Sequence, residues 1–243
     1  NHHPDPGNPK NLEDLQNKIK ESNADIGIAL DGDADRVGIV DNSGKIIYPD
    51  IQMILYADQV LTKNKNATII FDVKCSNLLK NFIEEKSGIA FMSKTGHSYI
   101  KKNLFEKNAL LAGEMSGHIF FKDRWFGFDD AIYAGSRMLE ILSEKEKSSW
   151  EIFSELPQNL STPEINISVS DENKFSIISE LKKILEKENG EISSLDGIRI
   201  DKDSCWGLIR ASNTSPSLVL RFEGNTPQDL DQIKNVFKKA ISK

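Results

Sequence analysis

Cysteine is scarce in this 243-residue chain, and long apolar runs and an excess of basic residues are both missing. The two cysteines, Cys75 and Cys205, lie far apart and outside any CxxC pair, which excludes a disulfide scaffold. We expect each to be a small buried residue. Because no apolar run has the length of a membrane span, and the first residues lack the pattern of a signal peptide, the sequence predicts a cytoplasmic protein that contacts no membrane.

Acidic residues outnumber basic ones: 37 aspartates and glutamates stand against 31 lysines and arginines, for a formal net charge of −6. The two signs are interspersed, so no basic groove for nucleic acid is predicted. An acidic protein that binds anions must use a few well-placed cations and backbone N–H groups. The chain opens without methionine in a loop rich in proline and glycine, which indicates either a processed terminus or a fragment of a longer protein.

Apolar periodicity divides the chain into two parts. Short apolar runs alternate with helical segments over residues 26–142, which predicts an α/β fold with a largely parallel sheet. The first run, Ile26 to Leu30, is typical of a strand buried on both faces. A polar stretch at 157–163 predicts a linker. The strand, helix, strands and helix that follow indicate a small α+β domain with an antiparallel sheet.

The loop after this first run carries three carboxylates at alternate positions, Asp31, Asp33 and Asp35. Gly32 lets the loop curl, so that the carboxylates converge on one hard cation, and oxygen ligands of this kind suit Mg²⁺. Arg36, directly after them, suits a phosphate held on that metal. A solvated acidic turn is a weaker interpretation, because three carboxylates beside an apolar strand repel one another unless a cation neutralises them.

Of two other interpretations of the acidic loop, we reject one and keep the other. A calcium loop requires glycine at its sixth position and glutamate at its twelfth, where this chain has Arg36 and Asn42, so we reject it. A phosphatase of the haloacid-dehalogenase type would use Asp31 as the nucleophile and Asp33 as the acid. Its motif normally continues with threonine or valine, where this chain has Asp35, and this alternative stays open at this point.

Two further loops carry glycine or hydroxyl groups, and each joins two predicted strands. The first offers donors and acceptors suited to sugar hydroxyls, and its predicted binding residues are Glu114, Met115, Ser116, Gly117 and His118. The second combines a guanidinium with hydroxyls and exposed N–H groups, and its predicted phosphate-binding residues are Arg210, Ala211, Ser212, Asn213 and Thr214. Taken alone, the first is equally well a β-turn and the second a capped hairpin loop.

Two basic residues lie where α/β sheets commonly place their ligands. Lys74 ends a predicted strand, and His97 comes just before a predicted helix. Either residue alone is more often a surface charge or an ordinary residue at a helix start. Their candidate catalytic role therefore depends on the other motifs.

Taken together, five segments resemble the α-D-phosphohexomutase superfamily, of the phosphomannomutase/phosphoglucomutase type. The matching segments are Asp31-Gly-Asp-Ala-Asp-Arg36, Asp72-Val-Lys-Cys75, Lys94-Thr-Gly-His-Ser98, Gly113-Glu-Met-Ser-Gly-His118 and Arg210-Ala-Ser-Asn-Thr214. Their order and spacing run across almost the whole chain, and five motifs in order are far more specific than any one of them.

The resemblance implies a domain organisation, because members of the superfamily have three related α/β domains followed by a small α+β domain. Residues 1–46 would form the end of the second domain with its metal loop. Residues 47–157 would form the sugar-binding third domain, and residues 158–243 the phosphate-binding fourth. The first domain normally carries a Thr-Ala-Ser-His-Asn motif whose serine is phosphorylated, and this sequence contains no such motif. We therefore expect the C-terminal half of a longer enzyme that lacks its phosphoserine domain.

The resemblance also implies a reaction, the interconversion of hexose 1-phosphate and hexose 6-phosphate through a phosphoserine and a hexose bisphosphate. The acidic loop would hold Mg²⁺ with Arg36 beside it, and either Lys74 or His97 would handle the hydroxyl proton. Glu114 and Ser116 would grip the 3- and 4-hydroxyls of the sugar. These hydroxyls do not distinguish glucose from mannose, so both sugars are expected as substrates.

The loop at 210–214 would hold whichever phosphate is not reacting. Without the phosphoserine the chain by itself is expected to be inactive. A non-catalytic module that binds sugar phosphates is the remaining alternative to an enzyme.

Overall fold

A computed structural model describes residues 2–242, and the chain divides after Pro157 into two compact units. Unit 1 holds the acidic loop and the loop at 113–118, whereas unit 2 holds the loop at 210–214. Among the described residues, no helix combines the length and the apolar character that crossing a membrane requires. Both cysteines are buried, as predicted, and they are not joined in a disulfide.

Unit 1 opens with a short 3₁₀ helix, a longer helix and an antiparallel meander of three strands. The bounds are Pro9–Leu12 for the 3₁₀ helix, Glu13–Ser22 for α1, Ile26–Leu30 for β1, Val37–Asp41 for β2 and Ile46–Ile47 for β3. The side chain of Asn8 accepts a hydrogen bond from the N–H of Lys10 and so caps the first turn ahead of Pro9. Helix α1 then packs on β1 through Ile19.

The prediction that β1 is buried on both faces is wrong. Within the described part of the chain β1 is the edge strand of the meander, Gly27 is its only buried residue, and Leu30 is 38% exposed. Ile26 and Ile28 do pack on the main core, and Ala29 packs towards α1 on the opposite side. An apolar run with contacts on both faces therefore occurs at an edge, while β2 beside it is buried along its whole length.

The second sheet of unit 1 is largely parallel, as predicted. Its strands are Thr68–Asp72 (β4), Ile89–Ser93 (β5), Leu111–Gly113 (β6) and Ile119–Phe121 (β7), in the order β5-β4-β6-β7 with only β7 antiparallel. The helices of unit 1 that follow α1 are Pro49–Lys63 (α2), Asn77–Glu85 (α3), His97–Glu106 (α4), Ala131–Ser143 (α5) and Ser149–Ser154 (α6). Because β4, β5 and β6 run parallel, the polar loops that follow them lie along one edge of the sheet.

Helices cover both faces of this sheet. On one face Phe71 and Phe121 pack with residues of α2, α3 and α5, and the hydroxyl of Tyr56 donates to the carbonyl of Ala134 at 3.0 Å. On the other face α4 packs on the sheet through Leu104. Each fully buried apolar side chain stabilises the folded state by about 1.5–3 kcal/mol. The cores on the two faces therefore hold the sheet, and with it the edge that carries the polar loops, in one position.

Unit 2 is a small α+β domain with an antiparallel sheet, as predicted. Its elements are Leu160–Ser161 (β8), Ile165–Ser168 (β9), Lys174–Leu185 (α7), Glu191–Ser193 (β10), Ile198–Lys202 (β11), Cys205–Ala211 (β12), Ser217–Gly224 (β13) and Pro227–Ile241 (α8). The order is β10-β11-β12-β13-β8, with β9 also paired to β13. Ile209 and Phe222 pack under α7 and α8, and Arg199 and Arg221 lie over the ring of Trp206 at 3.8 and 5.8 Å.

Three short elements escaped the sequence patterns. Helix α6 lies between residue 142 and the predicted linker, where no element was predicted, and it begins with a capping box between Ser148 and Glu151. Strand β8 lies inside the predicted linker, where Leu160 and Ser161 pair with β13. Strand β10 pairs with β11. These elements are too short for a periodicity to show, and two of them depend on a partner strand elsewhere in the chain.

Removing the cap of α8 should destabilise unit 2. Thr226 Oγ accepts the N–H of Asp229 at 3.2 Å, and Asp229 accepts back from Thr226. We expect Thr226→Ala to lower the free energy of unfolding by about 1 kcal/mol, measured by native-state hydrogen exchange of the α8 amides. Hydrogen bonds from Ser204 and Thr226 lower the pKa of Asp229. Its ionised form therefore stabilises the cap at neutral pH, and this contribution is lost as the pH falls through that lowered pKa.

Thr226→Ser is the matched control, because it keeps the hydroxyl and should change α8 little. Equal exchange rates in the alanine and serine variants would contradict the role of the cap.

Candidate functional site

The carboxylate of Asp31 shapes the acidic loop from inside. Its Oδ1 accepts the N–H groups of Asp35 and Arg36, both at 3.0 Å, and its Oδ2 accepts the Nε–H of Arg36 at 2.7 Å. Only 1% of the Asp31 side chain is exposed. Burial is the largest single influence and opposes ionisation, but the hydrogen bonds and charge of Arg36 together outweigh it, and the pKa of Asp31 falls to about 2. Hydrogen bonds to a charged group stabilise by about 1.5–3 kcal/mol each, enough to offset burial.

The sharpest backbone turn of this loop lies at Ala34, which has a φ of 61°, and Gly32 has no positive φ. The prediction that Gly32 provides the curl is therefore wrong. The side chain of Asp31 closes the turn instead. The carbonyl of Ala34 also accepts the N–H of Ala131 at 3.0 Å, which attaches the loop to the start of α5.

The three predicted metal ligands do converge. One oxygen from each of Asp31, Asp33 and Asp35 lies within 4.8 Å of the others. Oxygens bound to a single Mg²⁺ at about 2.1 Å lie about 3 to 4 Å apart, so a small contraction brings the set onto one ion. An all-oxygen donor set with exposed Asp33 and half-buried Asp35 suits a hard divalent cation that keeps some of its water.

The loop at 113–118 lies directly against the acidic loop. The N–H of Val37 donates to the carbonyl of Gly117 at 3.1 Å, and Arg36 pairs with His118 in an isolated antiparallel bridge. Gly117 adopts a φ of 101°, and a Cβ there would lie 3.0 Å from the carbonyl oxygen of Val37. Only glycine combines this backbone with such a close approach. The predicted metal and sugar loops are thus joined by their backbones.

The imidazole of His118 lies between acidic groups of both loops. Its Nε2 is 3.4 Å from Oδ1 of Asp35, while its Nδ1 is 3.2 Å from Oε2 of Glu114 and 2.8 Å from Oγ of Ser116. Burial disfavours the charged imidazole, but Glu114 and Asp35 outweigh burial and raise the pKa of His118. His118 is therefore better placed to move a proton beside the metal loop than its sequence context suggested.

His97 lies beside His118. The two rings stack with centroids 5.7 Å apart and planes inclined by 24°. Nδ1 of His97 lies 3.6 Å from Asp129, and Nζ of Lys101 lies 3.1 Å from the same carboxylate. Atoms of Asp35, His118 and Asp129 also fall within 4.8 Å of one another. The structure thus brings His97 to the acidic loop through His118 and Asp129.

Asp72, at the end of β4, connects the loops that follow the parallel strands β4, β5 and β6. It is fully buried, and its carboxylate accepts from the hydroxyl of Thr95 at 3.0 Å and from the N–H of Met115 at 3.3 Å. The thiol of Cys75 and Nζ of Lys74 lie 3.2 and 3.9 Å from it. Burial raises the pKa of Asp72, and the positive charge of Lys74 partly opposes that rise.

The predicted residues of unit 1 are therefore close neighbours, though their roles differ. Lys74 is buried beside Asp72 and is no surface charge. Glu114 is buried and accepts the N–H of Gly96 at 2.5 Å, so it also supports the loop at 94–98. Met115 is held through its backbone N–H, and Gly117 shapes the turn.

The loop at 210–214 in unit 2 begins on a buried strand. Arg210 lies in β12, with 4% of its side chain exposed, and its Nε–H donates to Asp196 at 2.9 Å. Its Nη2 is buried and has no hydrogen-bond partner among the described residues. A buried guanidinium nitrogen without a partner is costly, so this atom is a candidate for binding an anion. Ala211 is still part of β12 and is buried.

Ser212 points into the loop. Its Oγ accepts the N–H groups of Thr214 and Ser215 at 3.3 and 3.2 Å, and Oγ of Ser215 lies 2.8 Å away. The predicted run of exposed N–H groups is therefore partly used inside the loop, because the serine side chain folds back as in other hydroxyl-capped turns. Asn213 and Thr214 form the exposed tip.

Three acidic residues at this site escaped the sequence analysis. Asp5 pairs with Arg36 at 3.1 Å, Asp129 pairs with Lys101, and Asp72 connects the loops. Asp72 is the first residue of the matching segment Asp72-Val-Lys-Cys75, and its position after a buried strand could have indicated a role at the site. Asp5 lies in a loop with no pattern, and nothing in the sequence relates it to a residue thirty positions away.

Family models match almost the whole chain. The models for phosphoglucomutase/phosphomannomutase alpha/beta/alpha domain II, alpha/beta/alpha domain III and the C-terminal domain match residues 1–44, 48–160 and 164–240, respectively. The chain belongs to the phosphoglucomutase/phosphomannomutase family.

Relatives and solved structures agree with this assignment. A phosphomannomutase/phosphoglucomutase of Pseudomonas putida is 56% identical, over 99% of this chain and 52% of that protein. A phosphoglucomutase of Neisseria meningitidis is 53% identical, over 99% of this chain and 53% of its own length. The crystal structure of a phosphoglucomutase/phosphomannomutase family protein from Burkholderia thailandensis superposes with a TM-score of 0.93 at 46% identity, over 100% of this chain and 52% of that one. The chain thus spans about half the length of the relatives it matches.

The phosphatase alternative is not supported. The family models and relatives are those of phosphohexomutases. In addition, the Asp31 carboxylate that would serve as nucleophile is buried and accepts three hydrogen bonds, so it presents little free surface to a phosphate ester.

Replacing Gly117 should disturb the junction of the two loops. A side chain at a φ of 101° is strained, and its Cβ would lie 3.0 Å from a backbone oxygen. We expect Gly117→Ala to lower the unfolding free energy of the chain by about 1–3 kcal/mol, measured by denaturant titration.

Gly32→Ala is the matched control in the neighbouring loop, because a Cβ there would meet only Cγ of Pro4 at an ordinary 3.6 Å. We expect it to change stability by less than about 0.5 kcal/mol. Similar losses in both variants would show that the strain does not reside at Gly117.

Proposed function

We propose that this chain forms the metal, sugar and phosphate sites of a phosphomannomutase/phosphoglucomutase. The whole protein would interconvert hexose 1-phosphate and hexose 6-phosphate, with mannose and glucose as the sugars. The phosphoryl group would be carried by a serine that these 243 residues do not contain. The observation that carries the proposal is the position of His118, 3.4 Å from Asp35 of the acidic loop and 3.2 Å from Glu114 of the glycine-rich loop.

In this proposal Asp31, Asp33 and Asp35 hold Mg²⁺, which when bound would offset the charge of the transferred phosphoryl group. Arg36 keeps its guanidinium beside this site because Asp31 and Asp5 both hold it. Its remaining N–H groups can then face a phosphate. Asp31 thus orients Arg36 as well as contributing a ligand oxygen.

The proton of the attacking sugar hydroxyl needs an acceptor, and it must be returned when the second phosphoryl group goes back to the serine. His118 joins Lys74 and His97 as a candidate for this role, because its imidazole lies beside both the acidic loop and Ser116. Glu114 and Ser116 would bind the sugar hydroxyls. Transfer from phosphoserine to the free hydroxyl gives a hexose bisphosphate, which turns around and returns its other phosphoryl group.

The loop at 210–214 would hold the phosphate that is not reacting. Its support is the buried Nη2 of Arg210 without a hydrogen-bond partner among the described residues, together with the exposed Asn213 and Thr214. We also propose residues 1–46, 47–157 and 158–243 as parts of three successive domains. We propose a cytosolic location as well, for which the support is two cysteines that are not joined in a disulfide.

Activity tests this proposal in a chimera. The part of the Pseudomonas putida relative that this chain does not cover is joined to this chain, to supply the phosphorylated serine that the family resemblance leads us to expect there. With Mg²⁺ and a hexose bisphosphate activator, we expect the chimera to convert glucose 1-phosphate and mannose 1-phosphate. The chain alone should give no turnover, because the phosphoryl carrier is missing.

A chimera in which that serine is replaced by alanine is the matched control. Turnover by the chain alone would contradict the missing-nucleophile proposal. A folded but inactive chimera that still binds hexose phosphates would instead favour the non-catalytic module.

Metal binding can be tested on the chain itself. Asp33 is the exposed member of the three aspartates, so Asp33→Asn should remove a ligand without unfolding the loop. We expect the affinity for Mg²⁺, or for Mn²⁺ as its spectroscopic substitute, to fall by about tenfold or more, since losing one charged contact costs about 1.5–3 kcal/mol. Calorimetry or Mn²⁺ electron paramagnetic resonance measures the change.

Asp14→Asn, on the exposed side of α1, removes the same charge away from the loop and is the control. An unchanged affinity in Asp33→Asn would show that the acidic loop does not bind the metal through Asp33.

A further inference from the structure

A buried lysine lies beneath the loop at 210–214 in unit 2. Lys174, the first residue of α7, has 8% of its side chain exposed. Its Nζ donates to the carbonyl oxygen of Ser212 at 2.8 Å and to that of Ser215 at 3.3 Å, and it lies 2.7 Å from the carboxylate of Asp171. The ammonium group is thus surrounded by three acceptors, two of which belong to the loop.

The position of Lys174 is unfavourable for α7 alone. A positive charge in the first turn opposes the helix dipole, and burying an ammonium group costs several kcal/mol unless acceptors surround it. An ordinary hairpin turn needs no such group, because the Oγ of Ser212 already closes this loop from inside. The cation therefore has an effect beyond closing the turn: it holds two carbonyl oxygens towards the interior of unit 2.

Carbonyl oxygens that face outwards from a loop repel an anion. When they are held inwards, the exposed tip of the loop presents its side chains and N–H groups instead. Lys174 holds the carbonyls on both sides of Asn213 and Thr214, and these two residues form the exposed tip. Asp171, 2.7 Å from Nζ, offsets the positive charge of Lys174, so the lysine acts on a bound anion through the orientation of these carbonyls.

We propose that Lys174 is a positioning residue of the phosphate loop: it fixes the carbonyls of Ser212 and Ser215 inwards. This inference rests on the proposed phosphate role of residues 210–214. The ligand class is a phosphate monoester, or inorganic phosphate as its simplest probe.

The test compares the phosphate affinity of the folded chain between variants. Inorganic phosphate and glucose 1-phosphate are titrated separately, and binding is followed by the amide resonances of residues 210–215. We expect Lys174→Met to weaken binding of both ligands by about tenfold. Lys182→Met removes the same charge from the same helix, where Lys182 is 42% exposed and pairs with Glu186, and it should change affinity less than about twofold.

Stability is measured on the same variants, because a merely structural lysine would lower the free energy of unfolding without changing the affinity of molecules that remain folded. If Lys174→Met does not fold, Lys174→Gln replaces it, since the shorter glutamine amide can donate to one loop carbonyl where the lysine donates to two. We expect weakened binding in that variant as well.

Arg210→Ala separates the two possible failures. If Arg210→Ala abolishes phosphate binding while the Lys174 variants bind as tightly as the native chain, Lys174 is only a structural anchor and the inference is wrong. If the native chain binds neither ligand, or binds both as well without Arg210, the phosphate role of the loop fails and the inference fails with it.

Discussion

The buried carboxylate of Asp72 is the constraint on which the loops of unit 1 depend. It lies where β4 ends, and it receives the side chain of Thr95 from the loop after β5 and the N–H of Met115 from the loop after β6. Parallel strands bring three loop starts to one edge, but they do not fix the loops beyond it. A fully buried acceptor does, because each donor that left it would leave a buried oxygen unsatisfied at a cost of about 1–3 kcal/mol. Glu114 and His118 are positioned as a consequence of this anchoring.

The same physical solution recurs in the other polar loops. Asp31 closes the acidic loop through two N–H groups and one guanidinium, and Lys174 holds two carbonyls of the loop in unit 2. In each case one buried ion with several partners replaces the regular hydrogen bonds that a loop lacks. A lone buried ion destabilises, while an ion with three acceptors or donors is close to neutral in energy and fixes one geometry. The chain thus combines irregular loops with defined positions of their side chains.

Sequence patterns were sufficient for the elements and motifs but not for the contacts between them. The apolar runs and the five ordered motifs predicted the α/β and α+β folds because their period and order are local properties. The burial of β1 was predicted wrongly, because an apolar run of this length occurs both in central strands and in edge strands. The turn attributed to Gly32 lies at Ala34, because a side chain, Asp31, supplies the turn that a backbone glycine was expected to supply. Asp5, Asp129 and Lys174 could not be found because their partners are distant in sequence.

Charge counting explains why the acidic loop needs a cation under the proposed function. Asp5, Asp31 and Asp35 lie within 4 Å of one guanidinium, that of Arg36. Asp33 lies beside Asp31 and Asp35, and the chain as a whole is also acidic. A phosphoryl group brought to this loop would meet a surplus of negative charge, and at 4 Å two like charges repel by about 4 kcal/mol near a protein surface. Arg36 cannot offset this, because Asp31 and Asp5 already engage it. His118, 3.4 Å from Asp35, would offset part of this surplus when protonated. Under the proposed function, a divalent cation held by the three aspartates would offset more of it, so that Arg36 could orient the phosphate while it stays paired with Asp31.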